Sequence, residues 1–431
     1  MKSRILTLLT AMTLFAALAV PVRLAAQSQK QPPPRYTVTD LGILGGGTFS
    51  WAEGVSNSGW VKGNADTTLP GEPVERAFLW RNGVMTDLGT LGGPNSFTET
   101  GGISYSGDIV GAAESSTPDP LNENWCGFND NLKCLPFLWR NDVGKMIPLP
   151  TLGGNNGLAT GINNQDEVTG EAENATIDTT CPPFLQIKPV IWKHGRAREL
   201  PTFPGDPDGV AAAINDWGQV AGNSGNCTDG ASSRVLLWQN GRAIDLGNLK
   251  GTTNNLSFDI NNLAQVVGWS DLPCDTTWHA FLWQKSTGMI DLGTLPGNSW
   301  SGAWGINNAG QVVGGSWWDA EGNERAFLWQ NGVMTDLNTL IPPDSPLFLW
   351  EADGINDWGQ IIGVAYQVST GEMHAFLATP TTRYWEMSER PKVVVPENIR
   401  KQLQQRLRVG GPRSRWGQPD RLFGPGTGPT N

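Results

Sequence analysis

Short apolar runs recur along this chain in a fixed cyclic order, each too brief for a helix and each bounded by glycine, asparagine or proline. An Asp-Leu-Gly-like segment is centred on Leu41, Leu88, Leu149, Leu200, Leu246, Leu292 and Leu337. A Gly-Ile-Asn-Asn-x-Gly-Gln-Val-Val-Gly segment or a variant ends at Gly63, Gly111, Gly170, Gly222, Gly268, Gly314 and Gly363. Ala-Phe-Leu-Trp or a variant ends at Trp80, Trp139, Trp192, Trp238, Trp283, Trp329 and, degenerate, Ala378. Successive leucines of the first signature lie 45 to 61 residues apart, which makes a unit of about 46 residues with insertions in the early copies.

Each unit parses into four strands. Ile-Asn ends the first, Asn-Asn-x-Gly is a hairpin turn that accepts left-handed backbone angles, and Gln-Val-Val-Gly is the second. Ala-Phe-Leu-Trp is the third, and an Asn-Gly turn such as Asn82-Gly83, Asn240-Gly241 or Asn331-Gly332 leads into the fourth. Phe-Leu-Trp and Val-Val are apolar on consecutive residues, so both faces of these strands must be buried, and sheets stacked face to face achieve that. Four strands per unit of this length predict the blades of an all-β, seven-bladed β-propeller. The order of the signatures adds a prediction about closure. The first Asp-Leu-Gly segment precedes any Ile-Asn strand, and the last unit lacks one after Ala378. The strand at Tyr36 to Leu41 should therefore complete the last blade and close the ring, leaving no unpaired sheet edge there. An open solenoid would need polar capping repeats, which neither end supplies.

Composition agrees: of 431 residues, 54 are Gly and 30 Pro, only 16% are charged and 39% are hydrophobic, which suits short strands and tight turns rather than long helices or disorder. The ends differ from the body. Lys2 and Arg4 precede an apolar run from Ile5 to Val20, then Pro21 and Ala25-Ala26, the pattern of a cleaved signal peptide over residues 1–26, with a membrane anchor disfavoured by the shortness of the run. Residues 27–35 read as a linker and 36–380 as the propeller. Residues 381–431 carry ten basic against four acidic side chains and read as a largely disordered, solvated tail with one short helix from Pro396 to Arg408; a docking arm is the alternative. The expected location is extracytoplasmic, secreted or periplasmic, with no membrane span and a monomeric chain. The whole chain carries a net charge of -11 and the body between the basic ends is more acidic still, which argues against nucleic acid as a partner.

The residues also resemble a known family. His279-Ala280-Phe281 and His374-Ala375-Phe376 match the triad that names the HAF-repeat family of extracellular bacterial proteins, and Arg76-Ala77-Phe78 and Arg325-Ala326-Phe327 are variants of it. Pro136-Phe137, Pro189-Val190 and Val235-Leu236 depart further. The resemblance covers residues 36 to 380 and implies a secreted repeat protein; it brings no activity with it.

Residues present in every copy serve every blade. The strand-end Trp residues are expected to pack between blades, and Asn163, Asn215, Asn261, Asn307 and Asn356, with Ser56 and Ser104 in their place in blades one and two, to bond turns or backbone. The variable segments carry the candidate chemistry. Every insertion falls in the second-to-third-strand loops, and so do Cys126, Cys134, Cys181, Cys227 and Cys274, of which Cys126 and Cys134 bracket a short loop and are the expected disulfide. The same face holds Trp269, Trp278, Trp300, Trp317 and Trp318 beside Asp271 and Asp319, a set suited to a sugar ring or a protein partner. No metal spacing, cofactor motif or catalytic signature occurs, so no metal, cofactor or catalytic residue is expected. The predicted function is a secreted binding or scaffold module that recognises an extracellular glycan or protein through its long-loop face. The alternative is a propeller glycosidase or lyase with carboxylates at the mouth of the central channel.

Overall fold

Seven four-stranded antiparallel sheets account for nearly all the regular structure of a computed structural model that describes residues 34–68, 73–226, 234–275, 277–317, 324–383 and 393–401. The chain is a seven-bladed β-propeller. Six blades take their four strands in sequence order, from Ser50–Val55 innermost to Val84–Asp87 outermost in blade 1, and so on to Trp300–Ile306 through Val333–Asp336 in blade 6. Blade 7 has Leu347–Ile355, Ile361–Gln367 and Glu372–Thr381, and its outermost strand is Arg35–Asp40, paired antiparallel from Arg35 opposite Thr381 to Asp40 opposite Phe376. The ring is thus closed by the strand the sequence order pointed to. Among the described residues no helix is long and apolar enough to cross a membrane.

The third-strand motif makes the core. Phe78, Phe137, Phe281, Phe327 and Phe376 are fully buried, and the Trp192 and Trp238 indoles donate to Pro150 O and Pro201 O at the outer rim. The Asn-Gly turns adopt positive φ at both residues, the twist a two-residue hairpin needs. The first letter of the triad pairs with the aspartate of the outermost strand: Arg325 with Asp336 at 3.1 Å, His279 with Asp291 at 2.9 Å, His374 with Asp40 at 2.9 Å, and Arg76 with Asp87 at 3.9 Å. Two of the sequence signatures are therefore halves of one cross-strand contact.

The glycine that ends the second strand has a steric reason. A Cβ on Gly63, Gly170, Gly222, Gly268, Gly314 or Gly363 would lie 1.9 to 2.1 Å from a carbonyl oxygen of the inner strand. That close approach accompanies a β-bulge: in six blades the register of the first two strands slips between Ala52 and Gly54, Ala159 and Gly161, Ala211 and Ala213, Ser257 and Asp259, Ala303 and Gly305, and Ala352 and Gly354. A bulge re-aims one side chain. The extra residues are Glu53, Thr160, Ala212, Phe258, Trp304 and Asp353, and three of these help to line the central channel.

Cys126 and Cys134 form the expected disulfide, with Cα atoms 5.6 Å apart. Cys181 is also disulfide-bonded, and Cys274 is a free, exposed thiol. Of the expected tail helix, residues 397–401 are helical and the remainder lies outside the described residues. Part of the segment read as solvated docks instead: Val395 is fully buried, with Val393 and Ile399 packed beside it.

Candidate functional site

The inner strands converge on a central cavity of about 190 Å³. Its deepest lining residues are Glu53, Trp304 and Asp353, all buried, and its outermost are the second residues of the turns that follow the inner strands: Asn57, Asn164, Asp216, Asn262, Asn308 and Asp357. It is a bowl opening on the tight-turn face, opposite the long loops.

Two rings of hydrogen bonds build its wall. In the first, each turn asparagine donates from Nδ2 to the carbonyl of its counterpart one blade on: Asn163 to Asn215 (3.1 Å), Asn215 to Asn261 (3.0 Å), Asn261 to Asn307 (3.0 Å), Asn307 to Asn356 (3.0 Å) and Asn356 to Ser56 (2.8 Å). The same side chains accept from N–H groups of their own turns, so one residue type caps a turn and joins two blades. In the second ring, each backbone N–H bonds to the next blade's side-chain oxygen: Tyr105 to Asn164, Asn164 to Asp216, Asp216 to Asn262, Asn262 to Asn308, Asn308 to Asp357 and Asp357 to Asn57, all between 2.7 and 3.1 Å. The polar rim is thus held in place by hydrogen bonds within the protein.

Outside that rim stand the exposed aromatic side chains. Trp217 is 76% and Trp358 71% exposed, Leu263 at the equivalent turn position is 67% exposed, and Tyr105, one position earlier in its turn, is 88% exposed. The Trp217 indole donates to Asn262 O at 3.1 Å, which lays the ring across the neighbouring turn. Trp217 and Trp358 were legible as a signal: Ile-Asn-Asp-Trp-Gly-Gln occurs twice, at 214–219 and 355–360, where other turns carry Asn-Asn or a variant.

Inside the bowl the blades cease to be equivalent. Five of them hold glycine at the level of Gly54, Gly102, Gly161, Gly305 and Gly354, and Ala213 serves in blade 4, but blade 5 holds Asp259. Its carboxylate accepts from Ile306 N (2.9 Å) and Ile260 N (2.8 Å). Enclosure in the wall outweighs those two donors and pushes it up to about 7. Deeper, Asp353 accepts from the Trp51 indole at 2.7 Å. Behind Glu53, Lys62 is fully buried; burial brings it down to about 8 against the attraction of Glu53 and Glu99, and its Nζ donates to Glu99 O at 2.6 Å.

The residues singled out from the sequence lie elsewhere. Trp269 and Trp278 are 4% and 6% exposed, packed with Leu256 and Trp304 between blades 5 and 6; Trp300 and Trp317 are half-buried against them. Trp278 and Trp300 have centroids 3.8 Å apart, and Trp269 and Trp317 6.5 Å. Asp271 is buried and accepts from Thr253 Oγ1 (2.6 Å) and Asn254 N (2.8 Å), bracing its own loop. Trp318 and Asp319 lie outside the described residues. The structure thus brings Trp269, Trp278, Trp300 and Trp317 together as packing, with Trp300 and Trp317 at its edge.

No protein-family model and no curated protein matches the chain. Among solved structures it is similar to the β-propeller domain of the trilobed protease from Pyrococcus furiosus, at 6% identity over 83% of this chain and 100% of that one, with a TM-score of 0.48. It is similar also to a streptogramin B lyase (10% identity, 80% of this chain and 98% of that one, TM-score 0.45) and to an oligogalacturonate lyase in complex with manganese (12%, 81% and 97%, TM-score 0.45).

Proposed function

We propose that the protein is an extracytoplasmic binding module whose ligand, a polyhydroxylated group such as the end of a glycan chain, seats in the bowl on the tight-turn face. The observation that carries this is the pairing of exposed aromatic plates, Trp217, Trp358 and Tyr105, with a preformed ring of Asn and Asp side chains around one cavity. Aromatic faces take the apolar side of a sugar ring, and fixed amides and carboxylates take its hydroxyls. Drug-sized pockets span about 300–1,000 Å³. A smaller bowl suits one ring or a terminal group, with the rest of the ligand lying across the rim. The Cys126–Cys134 disulfide and the N-terminal signal pattern support an oxidising compartment, as does the resemblance to HAF-repeat proteins. The long-loop face is the weaker candidate, because its clustered Trp residues are spent largely on packing.

A glycan-array screen of the mature protein tests this. Trp217→Ala and Trp358→Ala should each weaken retention at least tenfold, while Trp300→Ala and Trp317→Ala leave it within twofold. Retention that follows the second pair would return the site to the long-loop face, and retention of no glycan would sink the saccharide reading. A second reading, a propeller hydrolase, is favoured by one observation: where other blades hold Gly or Ala, Asp259 places a carboxyl in the bowl wall, and burial there pushes it up to about 7, the range a general acid needs. Release of new reducing ends from a retained glycan, abolished in Asp259→Asn, would establish it.

A further inference from the structure

On the long-loop side, residues 393–401 lie across the joint where the two ends of the propeller meet. Val395 is fully buried, and Val393 and Ile399 pack beside it onto Phe49 and Trp51 of blade 1 and Phe348, Trp350, Tyr366 and Met373 of blade 7. The segment continues as a helical turn over 397–401, with Arg400 N bonded to Pro396 O at 3.0 Å and Lys401 paired to Glu397 at 2.8 Å. It is not a strand of any blade.

The seat beneath it is held by hydrogen bonds to the propeller. The Trp51 indole N–H is fixed on Asp353, and the Trp350 indole N–H on Glu324, a buried carboxyl over Gly315. Phe49 and Trp51 are further set against each other at 6.2 Å. Rings whose N–H groups are bonded to buried carboxyls of the propeller keep their orientation whether or not the segment is there, which makes the seat a preformed aromatic groove rather than a collapse around the tail. An empty groove would expose two Trp, two Phe and a Tyr side by side, and contiguous apolar patches of this kind mark interaction sites. Charge also favours this occupant, because the tail beyond residue 380 is basic and the propeller acidic.

We propose that residues 393–401 are a detachable C-terminal latch occupying, in cis, a peptide-binding groove formed by blades 7 and 1, which accepts a valine-rich, proline-punctuated segment. While seated, the latch masks the groove and ties blade 7 to blade 1, beside the strand pairing of Arg35–Asp40 with Glu372–Thr381 that closes the ring. Once released, the groove is open to a peptide of the same chemistry.

The probe is a fluorescent peptide spanning residues 391–402, added to the intact chain and to Val395→Asp, in which a carboxylate in the apolar seat expels the latch. The variant should bind the peptide saturably and at least tenfold more tightly than the intact chain, and a peptide carrying the same Val395→Asp change should not bind. Equal binding by both chains, or none by a folded variant, would overturn the proposal. Should Val395→Asp not fold, the same criteria apply to Ile399→Asp, at the half-buried edge of the seat. Concentration-dependent dimerisation of the intact chain, abolished by the peptide, would show exchange between copies and overturn the assignment in cis.

Discussion

The inner ring is stitched in one way from blade 3 round to blade 1 and in another between blades 1 and 3. On the long arc the turn asparagine repeats, and each copy donates to the next blade. On the short arc Ser56 and Ser104 stand in its place. They retain the duty within the turn, where Ser56 Oγ accepts from Trp60 N at 3.1 Å and Ser104 Oγ from Asp108 N at 3.0 Å, but a hydroxyl is too short to cross to the next blade. The inner strand of blade 2 also stops at Phe97, and the joint is made instead by Gly101 N to Glu53 O at 3.4 Å and by buried Lys62. The comparison separates two jobs that one residue combines elsewhere: the turn needs only an oxygen, and the ring needs an amide.

The collar gives the largest expected effect. Asn261 makes four buried or half-buried hydrogen bonds, accepting from Leu263 N and Gln265 N and donating to Gln265 Oε1 and Asn307 O. Asn261→Ala leaves buried partners unmet and should cost about 3 kcal/mol in urea unfolding, against about 1 kcal/mol for Ser56→Ala. Equal losses would mean that the crossing bond adds nothing and that the two arcs differ only in sequence.

The seam gives the next, through pH. Burial lowers Lys62 to about 8 from its ordinary 10.5, so between those values the unfolded chain holds a proton that the folded chain has released. Its contribution to stability therefore rises with pH across that window. The urea midpoint of the parent should climb relative to Lys62→Met between pH 8 and pH 10. Parallel curves would show that the seam carries no strain from its buried charge.

Much of this contrast could be read from the sequence. Seven copies in cyclic order set the blade count, and the displaced Asp-Leu-Gly segment located the closing strand, because both depend on local pattern and on the avoidance of open edges. The substitution of Ser56 and Ser104 for asparagine was visible, but its meaning was not, since the acceptor of the amide lies 46 to 52 residues away in the next blade. The site was less legible. Trp269 and Trp278 follow the same hydrophobic pattern whether they face solvent or a neighbouring blade, and only packing decides between the two. The bulge that turns Glu53 and Asp353 toward the channel leaves no mark in composition. Trp217 and Trp358 had a mark, the doubled Asn-Asp-Trp-Gly turn, on the face that loop length alone made uninteresting.

The clasp at blade 7 offers a smaller test, with a control in the same fold. The bond to Asp40 raises His374 above its ordinary 6.5, with partial burial opposing and Glu372 adding at 3.4 Å. For Asp40, burial works upward but is outweighed by His374 and the N–H of Gly42, so the carboxyl sits below its ordinary 3.8. The stabilisation from the histidine is fully present below 6.5 and lost as pH rises through its raised value; that from the aspartate is present above 3.8 and lost as pH falls through its lowered value. His374→Gln should therefore cost about 1 kcal/mol near pH 5.5 and less at pH 8.5. His279→Gln, whose partner Asp291 lies on the next strand of the chain and not on the N-terminal closing strand, should not alter hydrogen exchange in Arg35–Asp40. Equal exchange in the two variants would detach the clasp from ring closure.

The finest test repairs the seam. Ser104 precedes Tyr105, whose N–H already bonds to Asn164, so blades 2 and 3 sit in the register that the collar requires. In Ser104→Asn the oxygen can keep the bond from Asp108 N while Nδ2 reaches for Asn163 O, the contact made by every asparagine of the long arc. One added hydrogen bond between groups already in place should raise stability by about 0.5–1 kcal/mol in urea unfolding. Such a gain would mean that blade 2 lacks only the amide. A loss would mean that the irregular inner strand from Thr98 to Ile103 has moved the acceptor out of reach, and that the two arcs differ in backbone as well as in side chain.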